Sequence, residues 1–94
     1  MAKIFVVVAY DISDDARRTK LHDTLKNFGT PVQYSVFECI LDRGGLKKMK
    51  AAVSRVIKED RDLVRYYYLC RDCRARTETT AGAEVTRERR TIVV

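Results

Sequence analysis

A chain of 94 residues, 46% of them hydrophobic, has room for one domain with a modest core, because a polypeptide this short buries only about 60–65% of its unfolded surface. Nineteen Lys and Arg against 13 Asp and Glu give a formal charge of +6; this favours polyanionic partners such as nucleic acid, and with no apolar run near the ~18 residues of a span it speaks against a membrane protein. No signal-peptide pattern opens the chain, so a cytoplasmic protein with reduced thiols is expected, and the odd set Cys39, Cys70 and Cys73 does not read as a disulfide framework.

The first element is the uninterrupted apolar, β-branched run Ile4-Phe5-Val6-Val7-Val8-Ala9-Tyr10, too short for a typical helix and suited to a central strand buried on both faces. Asp11 is the first charged residue after it. Ser13 can cap a following helix whose first turn carries Asp14 and Asp15, where carboxylates complement the positive end of the helix dipole. Leu21, Leu25 and Phe28 share one face of that helix, and Gly29 followed by Pro31 ends it. Residues 32–41 alternate weakly with both faces mostly apolar, as one strand or as two short ones joined by a sharp bend; no turn dipeptide decides between them. Gly44-Gly45 breaks the chain before a second helix, with Leu46, Met49, Val53, Val56 and Ile57 on one side and Lys47, Lys48, Lys50, Arg55 and Lys58 outward. After the charged turn Glu59-Asp60-Arg61-Asp62, the aromatic and β-branched run 63–70 is a further strand.

Strands and helices interleaved in this order, with only two helices, predict an α+β ferredoxin-like βαββαβ sandwich over residues 1–70, both helices on one face of the sheet. Residues 71–90 carry six arginines among Thr, Ala, Gly and Glu with little to bury, as a loop or an arm would. Thr91-Ile92-Val93-Val94 looks like an extra C-terminal strand. The intervening stretch reaches up to ~65 Å when extended, so residues 71–94 are expected to carry that strand to the edge of a partner subunit's sheet.

The chemistry that can be read is sparse. His22 is the only histidine and falls in mid-helix, as a partly exposed residue or a proton donor, and no Ser/His/Asp or Cys/His set and no phosphate-binding glycine loop is present. Cys70-Arg-Asp-Cys73 has the spacing of half a zinc site but lacks a second pair. Asp11 stands out by position, a carboxylate directly after a buried strand. One carboxylate is too few for magnesium or manganese, which need several oxygen ligands. Two-fold symmetry supplies the second: Asp11 from both subunits of a homodimer can bridge one cation that a phosphodiester completes.

The residues Val8-Ala9-Tyr10-Asp11-Ile12-Ser13-Asp14-Asp15, then Arg17-Arg18, Gly29 and Gln33-Tyr34-Ser35-Val36-Phe37-Glu38, closely resemble the small CRISPR-associated endonuclease that accompanies the integrase in spacer acquisition, the second of the core Cas proteins. The likeness covers about residues 1–70 and fades in the arginine-rich stretch. It implies a ferredoxin-like homodimer whose C-terminal strand pairs with the other subunit, and a divalent metal, Mg2+ or Mn2+, at Asp11. It also implies metal-dependent cleavage of single-stranded RNA or double-stranded DNA, and a scaffold role in which the dimer bridges two integrase dimers during antiviral spacer insertion. Tyr10, Arg18 and Phe37 match positions that support the site in that family, Arg18 by contacting phosphate. Their plainer readings are packing for Tyr10 and Phe37 and a surface ion pair with Asp14 or Asp15 for Arg18.

Overall fold

The computed structural model describes residues 2–83 and 85–86. It contains β1 (Ile4–Asp11), α1 (Asp15–Leu25), β2 (Thr30–Gln33), β3 (Val36–Leu41), α2 (Arg43–Val56), β4 (Leu63–Leu69) and a short α3 (Arg71–Ala75). The strands form one antiparallel sheet in the order β2-β3-β1-β4, the ferredoxin-like arrangement expected from the element order.

β1 is central because its run offers apolar side chains to both faces. Val6, Val8 and Tyr10 point toward the helices and, with Phe37 and Cys39 of β3, Leu21 and Leu25 of α1, and Met49 and Val53 of α2, make the buried core. Phe28, expected on the helix face of Leu21 and Leu25, lies in the turn after α1 and packs against this core from there. Alternation places Phe5, Val7, Ala9 and Asp11 on the opposite face. The register adds Val36, Glu38 and Ile40 from β3 and Leu63, Arg65, Tyr67 and Leu69 from β4 to that face.

Five local expectations change in detail. The N-cap of α1 is Asp14 rather than Ser13; its carboxylate accepts from the Arg17 amide at 2.9 Å. Residues 32–41 are two strands joined by a turn at Tyr34-Ser35, the second of the two alternatives, but β2 already starts at Thr30 and α1 ends at Leu25 with Lys26 as its C-cap, so Gly29 and Pro31 mark the opening of a strand rather than the end of the helix. Gly44 and Gly45 lie inside the first turn of α2 instead of breaking the chain, because Asp42 caps the helix by accepting from the Gly45 amide at 2.7 Å. β4 ends at Leu69, leaving Cys70 as the cap of the next element. Residues 71–75, expected within a loop or arm, form α3, a helix with no buried residue.

From α3 onward the chain touches its own sheet at two points: Arg74 of α3 stacks on the Phe5 ring with 5.2 Å from guanidinium carbon to ring centroid, and beyond the helix the Thr86 amide donates to the Glu38 carboxylate at 3.1 Å. The expected strand 91–94 lies outside the described residues. Among the described residues no helix is long and apolar enough to cross a membrane.

Gly29 is required by close approach. A Cβ there would sit 2.4 Å from the Cys39 sulfur and 2.6 Å from the Glu38 carbonyl oxygen, so the chain leaving α1 passes β3 at backbone distance.

Candidate functional site

Asp11 closes β1 opposite Leu63 of β4 and is exposed on the face that α1 and α2 leave open. Its carboxylate makes no hydrogen bond or ion pair among the described residues, unlike Asp14, Asp15, Asp42 and Asp62, each of which is engaged. An unengaged carboxylate at a strand end is available to an outside cation or donor. Among the described residues no group of three His, Cys, Asp or Glu side chains stands ready to hold a metal ion. The donor set therefore fits a hard divalent cation only in part: Asp11 supplies one anionic oxygen ligand, and the rest must come from water, a phosphate or a second copy of the chain.

Tyr10, one residue earlier, turns the other way. It is 5% exposed, its hydroxyl lies 3.2 Å from Nδ1 of His22 in α1, and burial above all pushes its pKa up. Phe37 is fully buried beside both, with ring centroids 6.4 Å from Tyr10 and 5.0 Å, edge-on, from His22. Tyr10 and Phe37 thus behave as packing residues, and their contact with His22 is a cluster that sequence spacing did not reveal. The pairing spans 12 positions and joins a strand to a helix, so no local signal could have found it.

Arg18 joins the two sides. Its Nη1 donates to the Ile12 carbonyl at 2.8 Å and its Nη2 pairs with Asp15. The ion pair matches the plainer reading of Arg18. The bond to Ile12 adds that Arg18 fixes the backbone immediately after Asp11. Asp11 and the Tyr10–Phe37–Arg18 group therefore do not converge on one pocket; they occupy opposite faces of β1 and are linked through one arginine.

Gln33 and Tyr34 were part of the motif but carried no assigned role. They line, with Tyr10, Arg18, Thr19 and His22, a groove of about 300 Å³ between α1 and the β2–β3 turn.

The fold and this site define a small basic α+β protein with a carboxylate at the end of its central strand that is unengaged among the described residues, and an arginine holding the adjoining backbone. The family model for CRISPR associated protein Cas2 matches residues 4–77, and the chain belongs to that family. It is 45% identical over 67 residues to CRISPR-associated endonuclease Cas2 2 of Thermus thermophilus, covering 71% of this chain and 74% of that one. It is 41% identical over 63 residues to CRISPR-associated endoribonuclease Cas2 3 of Synechocystis, covering 67% and 68% respectively. The crystal structure of Streptococcus pyogenes Cas2 superposes with a TM-score of 0.72 at 29% identity, covering 80% of this chain and 96% of that one.

Proposed function

We propose that the chain is a metal-dependent endonuclease of CRISPR adaptation that works as a homodimer, cleaving single-stranded RNA or double-stranded DNA at a site formed by Asp11 of two subunits. The observation that carries this reading is the unengaged Asp11 carboxylate on the open face of the sheet, in register with exposed Leu63, which is 47% exposed, and two residues along β4 from the level of Arg65. Apolar exposure on that face, including Tyr67 at 45%, favours burial against a second copy. In the proposed dimer the two-fold axis passes beside Asp11, so that both carboxylates can share one cation.

Each residue then has a defined task. Asp11 presents a carboxylate oxygen to Mg2+ or Mn2+, and Arg18, by holding the Ile12 carbonyl, fixes the backbone from which that carboxylate projects. Tyr10, Phe37 and His22 form the packed floor that keeps β1 and α1 in place. The cation, when bound, would polarise a phosphoryl oxygen and lower the pKa of a coordinated water.

Nuclease assays of Asp11→Ala and Asp11→Asn in magnesium test this directly. Cleavage is expected to vanish in both variants and in wild type with chelator, while the fold and the sedimentation coefficient stay unchanged. Retained cleavage in Asp11→Ala, or full metal-dependent activity in a monomer, would overturn it.

A second reading is favoured by the basic outer face of α2, where Lys47, Lys48 and Arg55 are exposed: a scaffold that grips DNA phosphates and bridges integrase dimers, which do the cutting. Asp11→Ala that keeps DNA binding and spacer acquisition while losing cleavage supports the scaffold as the working role.

A further inference from the structure

The groove between α1 and the β2–β3 turn has features that neither packing nor the Asp11 site accounts for. Tyr34 sits in the turn and is 90% exposed, the most open large hydrophobic side chain among the described residues. A tyrosine ring left in water loses the burial that normally justifies an aromatic side chain. The ring is nevertheless close to the groove's other polar groups: Tyr10's pKa is raised chiefly by burial but also by the Tyr34 hydroxyl, and that of Arg18 is raised first by its bond to Asp15 and in smaller part by Tyr34.

The remaining lining residues supply hydrogen-bonding edges. Gln33 is exposed and brings an amide with both donor and acceptor. His22 is half-buried, and in the tautomer whose Nδ1 accepts from the Tyr10 hydroxyl its Nε2–H is a donor. Arg18 supplies a permanent cation that also holds the Ile12 carbonyl, next in chain to Asp11. The volume, about 300 Å³, lies at the lower end of the ~300–1,000 Å³ typical of small-ligand sites. It holds one planar ring, and a base within a duplex cannot enter it without leaving its stack.

We propose that this groove is a subsite for one unpaired nucleobase of a single-stranded nucleic acid, with the base stacked on Tyr34, its edge bonded by Gln33 and His22, and its phosphate held by Arg18. Stacking on an exposed aromatic tolerates any base, so the subsite selects strand state rather than sequence. A strand held there has its backbone beside Arg18, whose other contact is the Ile12 carbonyl next in chain to Asp11. The inference rests on the reading of the chain as a nucleic-acid-handling protein but not on cleavage.

The test uses the full chain in the Asp11→Ala background, so that binding is read without turnover. Single-stranded RNA and DNA oligomers of one sequence, run separately, are expected to bind with affinities that fall about 5- to 100-fold in Tyr34→Ala, whereas Tyr34→Phe stays within about twofold because the ring's face is kept. Duplex of the same sequence is expected to be indifferent to both changes. Amide NMR shifts on titration with adenosine 5′-monophosphate are expected at Thr19, His22, Gln33 and Tyr34 and to be smaller with ribose 5-phosphate, which keeps only the Arg18 contact. Equal shifts with ribose 5-phosphate, equal losses in Tyr34→Ala and Tyr34→Phe, or a change in the free protein's sedimentation in Tyr34→Ala would overturn the base subsite, the last by making Tyr34 a self-association contact. If Asp11→Ala still cleaves while Tyr34→Ala weakens single-strand binding, the nuclease assignment fails and the subsite stands; the opposite pattern removes the subsite alone.

Discussion

Arg17 of α1 and Asp62, in the loop before β4, form a two-pronged ion pair, with Nε donating to Oδ2 at 2.7 Å and Nη2 to Oδ1 at 3.0 Å. The Asp62 side chain is 1% exposed, and its Oδ2 also accepts from the Lys58 amide at 2.9 Å. The pair ties the first helix to the turn that feeds β4, 45 positions away. Planar guanidinium and carboxylate groups match in this geometry as a lysine could not.

Asp62→Asn leaves Arg17 facing a neutral amide in a buried position, and the thermal midpoint is expected to drop by more than the ~4–8 °C that one ordinary interaction contributes in a domain this small. The pKa of Asp62 is lowered, first by the Arg17 hydrogen bond and then by the Lys58 amide. A depressed native pKa gives stability that is complete above the unfolded carboxylate's ~3.9 and is lost as pH falls through the native value. Wild type is therefore expected to lose stability on acidification below about pH 4 more steeply than Asp62→Asn, which a series of urea denaturation curves at falling pH will measure. Equal slopes would show that the pair does not set the acid limit.

Gly29→Ala is expected to destabilise by about 1–3 kcal/mol, since the new methyl meets a backbone carbonyl as well as the Cys39 sulfur and only the sulfur can move aside. Urea denaturation of Gly29→Ala and of the double variant with Cys39→Ala checks this. The double variant should recover only part of the loss, because Glu38's carbonyl remains.

Phe37 separates packing from direct participation in the reaction. Phe37→Ala should cost about 3–5 kcal/mol, as expected for a fully buried aromatic, whereas Phe37→Leu should fold. Cleavage per folded molecule in Phe37→Leu is expected to stay close to wild type. A collapse of kcat with the fold intact would place the ring in contact with substrate.

The three cysteines should differ in reactivity. Burial pushes the Cys39 thiol up to about 11, while hydrogen bonds from the Cys73 amide and thiol lower that of exposed Cys70. Thiolate is the reactive form, so iodoacetamide followed by mass spectrometry is expected to label Cys70 rapidly and Cys39 only through unfolding, at a rate that tracks denaturant. Fast native labelling of Cys39 would contradict its burial.

Much of this architecture was legible because strong patterns overrode local noise. The run 4–10 could only be a buried strand, and the spacings of Leu21/Leu25 and Met49/Val53 fixed two helix faces that the core confirms. What escaped was short-range competition between equivalent signals. Ser13 and Asp14 are both good caps, and the choice fell to the one whose oxygen reaches Arg17's amide. Two adjacent glycines read as a break, yet Asp42 stabilises a helix start across them. α3 has no apolar stripe to announce it. The site divided the same way: Asp11 was visible as a charge ending an apolar run, but the His22 partnership, the Tyr34 groove and the burial of Asp62 depend on contacts 12 or more positions apart.

The strand order leaves two margins of unlike character among the described residues. One is β2, four exposed residues including Pro31, which has no amide hydrogen to offer; the other is β4, seven residues without a proline. A sheet blunted on one side and open on the other can be lengthened in a single direction. Among the described residues the amides and carbonyls along the outer side of Leu63–Leu69 are where a further strand could be added.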